Sequence, residues 1–412
     1  MDSESSDLTT QHLHHRILIS AKSKDVLSWR SLLVIAVIYL VIVRILRYHN
    51  LQRINQRYGQ FIANPNSLDY KSAHEIMKLG LLYEFPFMWG FGTQWALVKS
   101  YGIANGTKLL VQTRQLTDEK TVGKRAEDTG VFLGEILVMG VDSERGMRAL
   151  AKMNWLHRRY GAKITNGDLI HTLALFVLES QRWIDAYEWR KLTDLEKVAS
   201  FVYWKEIGNR MGIRDIPDTL DELKTWTFAY EKDHMFYTDD NKACVDATVN
   251  LFLRKTPKFL HGAVRTTTAA FLEPYARPSL GVKDPPYWVE RLVHIGFQIR
   301  AFLIRHIFLP RIQSPFRTVQ GPDGRLHRRQ YLFEPWYVQE TWRSRLSSLL
   351  GLSSGPHPGP KFKSDGFLPE ELGPLKYEHV ANKAVALEVE QLNEYRLKGG
   401  AAGTGCPFAF HG

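Results

Sequence analysis

The chain has 412 residues, 44% hydrophobic and 12% aromatic, which suits one large domain with appendages or two domains. Its net charge of +11 comes with no basic helix, zinc-ligand spacing or aromatic–basic RNA signature, so nucleic acid is excluded as the expected partner; attraction to an anionic membrane surface fits better. The two cysteines, Cys244 and Cys406, lie far apart in sequence, which argues against a disulfide framework and for a reducing compartment.

Residues 1–26 form a polar tail, and its His12, His14 and His15 do not make desaturase-type histidine boxes. Ser31–Val43, SLLVIAVIYLVIV, is an uninterrupted apolar run, and the window 27–47 is long enough to cross about 30 Å of hydrocarbon. Arg30 and Arg44 can snorkel at its edges, and Trp29 and Tyr48 suit the interfaces. The competing reading is a buried core helix. A cleaved signal peptide fits poorly, because no small-residue cleavage site follows the run. The expected orientation puts the N-terminus in a lumen and the body in the cytosol.

Residues 50–310 read as a helical body. Helical periodicity covers Ser72–Tyr83, and EFPFMWGFG then reads as a Gly/aromatic turn, like Gly90–Gly92 and Gly102–Gly106 generally. A helix is expected from about Glu119 to Met139. Asp142–Ser143 caps the next, which ends at Gly161. Asn166–Asp168 opens the most apolar helix of the body, Thr193–Asp194 starts another to Met211, and further helices lie near Thr219–Asp233 and Ala243–Leu253. Val293–Pro310 is apolar but broken by Arg300, Arg305 and His306, so it reads as an interfacial amphipathic helix or a core helix. Residues 311–412 form a Pro/Gly-rich extension with a linker, SSGPHPGPKFKSDG, and a short helix at Glu378–Leu397. Strand patterns are scarce, so the fold class is all-α.

The stretch Lys124–Gly161 carries the chemistry. Arg125, Asp128 and Thr129 sit at i, i+3 and i+4, which predicts one shared helical face over Phe132, Leu133 and Ile136. The bland alternative is a helix salt bridge plus a threonine bonded to its own backbone. His157 ends the stripe Leu150, Met153, Asn154 and is either a packed core histidine or an iron ligand. Lys124, Arg125, Arg158 and Arg159 are cations that could meet haem propionates, or else form a solvated edge. His171 is a second ligand candidate in a packing context. Glu231 and His234 make one E-x-x-H, but a di-iron bundle needs two such pairs and two further carboxylates.

The combination of the N-terminal span, YEFPFM (83–88), YGI (101–103), KRxxDT (124–129), LH (156–157), TLALF (172–176), EWRxLxDLE (188–196), WKxxGxxxGI (204–213) and CPF (406–408) resembles the fungal ER-bound oxygenases of the mpaB type. These share their catalytic domain with bacterial latex-clearing rubber oxygenase. The resemblance implies a globin-like, rubber-oxygenase-like helical domain in the endoplasmic reticulum membrane, holding haem b and using O₂ as co-substrate. It implies His157 as the axial ligand and Arg125 and Thr129 as the pocket pair. The rubber enzymes carry a lysine where this chain has Asp128. Their catalytic glutamate has no counterpart at the same offset, Glu84 and Glu135 being candidates. The mpaB-type protein has tyrosine at the His171 position, which counts against that ligand. On this basis Arg125, Asp128 and Thr129 are the expected catalytic residues, with His157, Arg125 and Lys124 binding the cofactor. The expected activity is oxidative cleavage of a carbon–carbon double bond in a farnesyl-type chain of a prenylated substrate, in meroterpenoid or related biosynthesis, with other pathway enzymes as further partners. The alternatives are a non-haem or di-iron oxygenase, or a non-catalytic ER lipid-binding protein.

Overall fold

Helices carry almost all regular structure, as the periodicity predicts. The computed structural model describes residues 29–316, 318–350 and 355–400, so the polar tail, Cys406 and the CPF motif lie outside the described residues. Helix α1 (Trp29–Arg47) opens the described chain. It belongs to a helical stretch long and apolar enough to cross a membrane, and only 6% of the most apolar window is covered by the rest of the protein. α2 (His49–Tyr58) leads into the body. α3 (Tyr70–Leu79) starts where the Asp69 carboxylate accepts the N–H groups of Lys71 and Ser72, both at 3.0 Å. It runs into a π-helical turn at Gly80–Glu84.

The expected Gly/aromatic turn is instead a helix, α4 (Pro86–Ser100). Pro86 occupies its first turn, where a missing N–H costs nothing. Gly90 and Gly92 lie inside it. Gly92 is required by packing: a Cβ there would meet the Ser180 Cα of a neighbouring helix at 2.7 Å. Gly102 does fall in a turn, whereas Gly106 lies within α5 (Ala104–Thr113). α6 (Val122–Gly134) continues as a π-turn, Glu135–Met139, and stops at Gly140, whose φ of +91° favours glycine. The Ser143 hydroxyl accepts the Gly146 N–H at 3.0 Å and caps α7 (Glu144–Arg158).

Capping boxes set three later starts, because threonine and an acid three residues on satisfy each other's free N–H groups. They are Thr165 with Asp168 for α8 (Asn166–Tyr187), Thr193 with Glu196 for α9 (Asp194–Met211), and Thr219 with Glu222 for α10 (Leu220–His234). α11 (Asp239–Leu253), α12 (His261–Ala270) and α13 (Tyr287–His306) complete the body. The central pair is α4 on α8. Between them and α13, Phe91 meets Trp183 edge-on at 4.7 Å and Phe297 at 5.6 Å.

Past Pro310 the chain forms a ribbon of β1 (Thr318–Gln320) and β2 (Leu326–Arg328), antiparallel with Val319 opposite His327, then α14 (Trp342–Leu349) and α15 (Asn382–Leu397). The stretch read as linker is partly core: Phe362 is buried between its prolines and glycines, and Phe367 and Leu372 are buried just beyond it. Composition marked the turns there but not the apolar residues between them.

The α4–α8 contact gives a paired expectation. Gly92→Ala must push Cβ into the Ser180 backbone, and unfolding should show a loss of roughly 1–3 kcal/mol. Gly90→Ala meets nothing within 4 Å and should be neutral, or gain up to about 1 kcal/mol from helix propensity. Equal effects at the two positions would refute the close-approach account.

Candidate active site

The face expected to hold Arg125, Asp128 and Thr129 together divides in two. Arg125 and Thr129 are half-buried on one side of α6. Arg125 Nη1 donates to Thr129 Oγ1 at 3.2 Å, and that hydroxyl donates to the Arg125 carbonyl at 2.8 Å. Asp128 turns away with Lys124, and both are buried. Lys124 Nζ donates to Asp128 Oδ2 (2.6 Å), the Tyr337 hydroxyl (2.9 Å) and the Gly373 carbonyl (2.6 Å). Asp128 also accepts from the Tyr337 hydroxyl (2.7 Å) and the Gly373 N–H (3.1 Å). All three ammonium protons are thus used. The structure directs Lys124 and Asp128 to the C-terminal segment rather than to the side of α6 that carries Arg125 and Thr129. Helical geometry explains the correction: at about 100° per residue, positions i+3 and i+4 flank position i from opposite sides.

His157 ends α7 near Arg125. Its Nδ1 is buried and has no hydrogen-bond partner among the described residues. Burial, and then the charges of Arg125 and Arg158, push its pKa down to about 4, so the imidazole is neutral at pH 7. Arg158 and Arg159, read as possible propionate partners, face the C-terminal segment. Arg158 pairs with Glu388, which also accepts from Asn154 Nδ2 at 2.9 Å, and Arg159 lies over Tyr377 at 4.2 Å. α7 is clamped further by Lys152 Nζ on the Tyr377 carbonyl, 2.7 Å, and by Arg148 on Glu370.

Two polar residues beside this site were not singled out by sequence pattern. Tyr101, at the end of α4, is buried and accepts from Thr248 Oγ1 of α11 at 3.4 Å. Burial raises its pKa to about 12 despite the Thr248 hydrogen bond and the Arg125 charge, so the phenol keeps its proton. The Arg125 charge therefore acts on both His157 and Tyr101. Tyr101 sits in the YGI motif; nothing local marks Thr248.

The other candidates are engaged elsewhere. Glu135 is bidentate with Arg145 at 2.7 and 2.8 Å, and Glu84 accepts from Asn50 at 2.8 Å; burial raises both carboxyl pKa values. His171 Nε2 meets Glu231 at 3.1 Å. His234 is exposed and stacks on Tyr230, so the E-x-x-H pair does not converge. Lys99 Nζ sits among Glu179 (3.2 Å), Glu231 (3.3 Å) and Glu273 (2.7 Å), filling the place a metal would need. Glu371, Glu378 and His379 cluster within metal-ligating reach, but the acids are paired with Arg325 and Lys363.

Residues 85–303, more than half of the chain, match the family model described as the catalytic domain of ER-bound oxygenase mpaB/B′ and rubber oxygenase. The ER-bound oxygenase mpaB′ of Penicillium brevicompactum is 28% identical over 398 residues, covering 90% of this chain and 92% of that protein. The ER-bound oxygenase mpaB of Penicillium roqueforti is 32% identical over 249 residues, 57% of this chain and 84% of its own length. The mpaB of Penicillium brevicompactum is 28% identical over 334 residues, 76% and 79% of the two chains.

Two outcomes test this geometry. Asp128→Ala strands a buried ammonium and should cost about 3–5 kcal/mol, with faster proteolysis between residues 355 and 400; unchanged cleavage there would contradict the clamp. For His157, the unfolded imidazole takes its proton near 6.5 and the folded one near 4. The unfolded chain therefore binds the extra proton in that window. The cofactor-free chain should lose up to about 3 kcal/mol as pH falls from 6.5 to 4, with no further loss below. His157→Gln should flatten that slope in urea unfolding at stepped pH, and parallel profiles would exclude the assignment.

Proposed function

The chain belongs to the catalytic-domain family shared by mpaB-type ER-bound oxygenases and rubber oxygenase, and from that premise we propose that it cleaves a carbon–carbon double bond in the isoprenoid chain of a prenylated substrate, using O₂ at a haem b iron held by His157. The family makes it an oxidoreductase of the oxygenase class. The observation that supports the finer reading is His157 beside Arg125 within the matched catalytic domain: its Nδ1 is buried and unpartnered among the described residues, as are those of His171 and His327, and its place beside Arg125 sets it apart. An imidazole nitrogen left in that state costs about 1–3 kcal/mol, and ligation of a metal removes the cost.

The residues present fit a haem. The depressed pKa keeps the imidazole neutral, as an iron ligand must be. Arg125, held by Thr129, is a cation suited to a propionate. Haem bound there supplies the oxygen chemistry, and the protein supplies binding, orientation and exclusion of water. Tyr101 stays protonated and offers a hydroxyl beside Arg125. The overall reaction, an alkene plus O₂ giving two carbonyl fragments, balances in atoms and electrons without an outside reductant.

α1 is read as a single span of the endoplasmic reticulum membrane, with the catalytic body in the cytosol. Its exposed apolar flanks and the naming of the relatives as ER-bound oxygenases support this. An anchor beside the bilayer suits a substrate that partitions into lipid, a farnesyl-type meroterpenoid precursor being the favoured class.

The test is spectroscopic. Purified full-length protein should show a Soret band and stoichiometric iron, and His157→Ala should lose the band. Product formation from a farnesylated aromatic should fall by more than the roughly 10–100-fold typical of losing a group that only supports a ligand. Active wild-type protein with iron but no Soret band would replace haem by a non-haem site.

A further inference from the structure

A cavity of about 350 Å³ lies between α4, α11 and α12, walled by Phe91, Trp95, Phe252, Leu260, Val264 and Phe271. No charged side chain lines it. A space of this kind, apolar with a few neutral polar groups, matches hydrocarbon better than a polar metabolite.

Its inner wall leads towards the candidate active site. Phe252 lies one helical turn beyond Thr248 on α11, the residue whose hydroxyl meets Tyr101. Trp95 lies on α4, the helix that ends at Tyr101, and is 6.5 Å from Phe252 between ring centres.

Its outer end meets an apolar surface. Leu260 is 40% exposed and its neighbour Phe259 84%. Behind Phe91 and Phe271 stands Phe297 of α13, at 5.6 and 6.2 Å. The far side of α13 presents Trp288, Leu292, Ile299 and Phe302 to the outside. Globular proteins rarely leave such a stripe bare without something to cover it.

The cover is indicated by continuity. α13 is pinned to α1 by Tyr39, whose hydroxyl donates to the Ile307 carbonyl at 2.8 Å, and by Arg47, which donates to the Phe308 carbonyl. The bare apolar flanks of α1 and α13 therefore lie side by side. Lys255, Lys258 and Arg265 flank Phe259 in sequence and Arg291 and Arg305 lie on α13; all five are exposed, which complements anionic headgroups.

We propose that this cavity binds the hydrocarbon tail of the substrate, and that its mouth at Phe259 and Leu260 is seated with α13 in the headgroup–acyl boundary, so that the tail enters from the bilayer. The inference rests on the reading of α1 as a membrane span and of the substrate as prenylated. A basic helix with one apolar face lies in that boundary by the same balance of forces.

The experiment uses the full-length chain in nanodiscs of phosphatidylcholine with phosphatidylserine and a diazirine-bearing farnesyl alcohol as probe. Photolysis followed by peptide mapping should place the label on α4, α11 and α12. Ala263→Trp, at an exposed lining position, and Val264→Trp should each cut labelling at least tenfold while leaving the Soret band in place. Label landing elsewhere, or tryptophan variants that label like wild type, overturns the tail site. Loss of the Soret band from wild-type protein whose labelling persists counts against the haem reading and leaves the tail site standing. Seating is read separately, with an environment-sensitive dye on Leu292→Cys in a Cys406→Ser background, Cys244 being buried. Quenching by doxyl-labelled lipid is expected, and a dye that stays in water refutes the membrane mouth.

Discussion

A lysine and an aspartate one turn apart on α6 determine how the site end of this protein is built. Lys124 and Asp128 meet at 2.6 Å in the interior and are completed by Tyr337 and Gly373. A buried ion pair is weak evidence for stability, since desolvation offsets much of its attraction. Its effect here is to fix register. Three donors on the ammonium and the acceptor positions on the carboxylate admit one placement of the C-terminal segment. Tyr337 adopts φ +65°, unusual for a bulky residue, and that backbone is held by its N–H on the Phe362 carbonyl and its hydroxyl on Asp128. From Gly373 the chain continues along α7, where Tyr377 and Glu388 hold Lys152, Asn154 and Arg158. The helix that ends in His157 is thereby clamped from the side opposite the body.

A second ionic node braces the other flank. Burial alone would lower the Lys99 ammonium pKa, but Glu179, Glu231 and Glu273 more than reverse this and raise it. Arg182 adds a second cation on Glu179 at 2.6 Å. Three carboxylates against two cations leave one negative charge, which the hydrogen bonds of His171 and Tyr275 solvate. The node ties α4, α8, α10 and the turn at 273–275 together just before Tyr101. The EWRxLxDLE segment does comparable structural work, with Glu188 on Arg300 of α13 at 2.9 Å and Arg190 bidentate on Glu196. Short signatures of this kind can mark joints between helices rather than reacting groups.

What was legible in the sequence was local. The apolar run, the helix starts at Asn166–Asp168, Thr193–Asp194 and near Thr219, the Ser143 cap and the all-α class depend on neighbours within a turn, so spacing reveals them. The division of α6 was not legible. Lys124 and Asp128 differ by about 40° around the axis, as do Arg125 and Thr129, but the two pairs lie on different sides. Which side meets the C-terminal segment depends on Tyr337 and Gly373, more than 200 residues away. α4 was hidden because Gly90 and Gly92 suggest a turn, whereas Gly92 serves close approach to Ser180. Thr248 carries no pattern because it acts through Tyr101. Burial of Phe362 and Phe367 was masked by the prolines and glycines around them. Periodicity left His157 as either a packed core histidine or a ligand, and the resemblance favoured the ligand; its unpartnered Nδ1 is shared with His171 and His327, so its place beside Arg125 is what distinguishes it.

The same constraint that hides the site organises it. An apolar wall and a charged node place opposite demands on one helix, since buried charge is tolerable only when paired. α4 keeps these demands apart along one stripe. Phe87, Phe91, Trp95 and Lys99 follow at intervals of four, running from a half-exposed aromatic ring to an ammonium enclosed by acids. Each ring is in contact with the next aromatic layer, Phe87 on Phe91 at 5.9 Å and Phe91 on Trp95 at 5.8 Å. A charge placed midway would lack a counter-ion, and an apolar residue at position 99 would leave three acids facing one another. The order of residues along this helix therefore sets both where the aromatic wall lies and where the charged node begins.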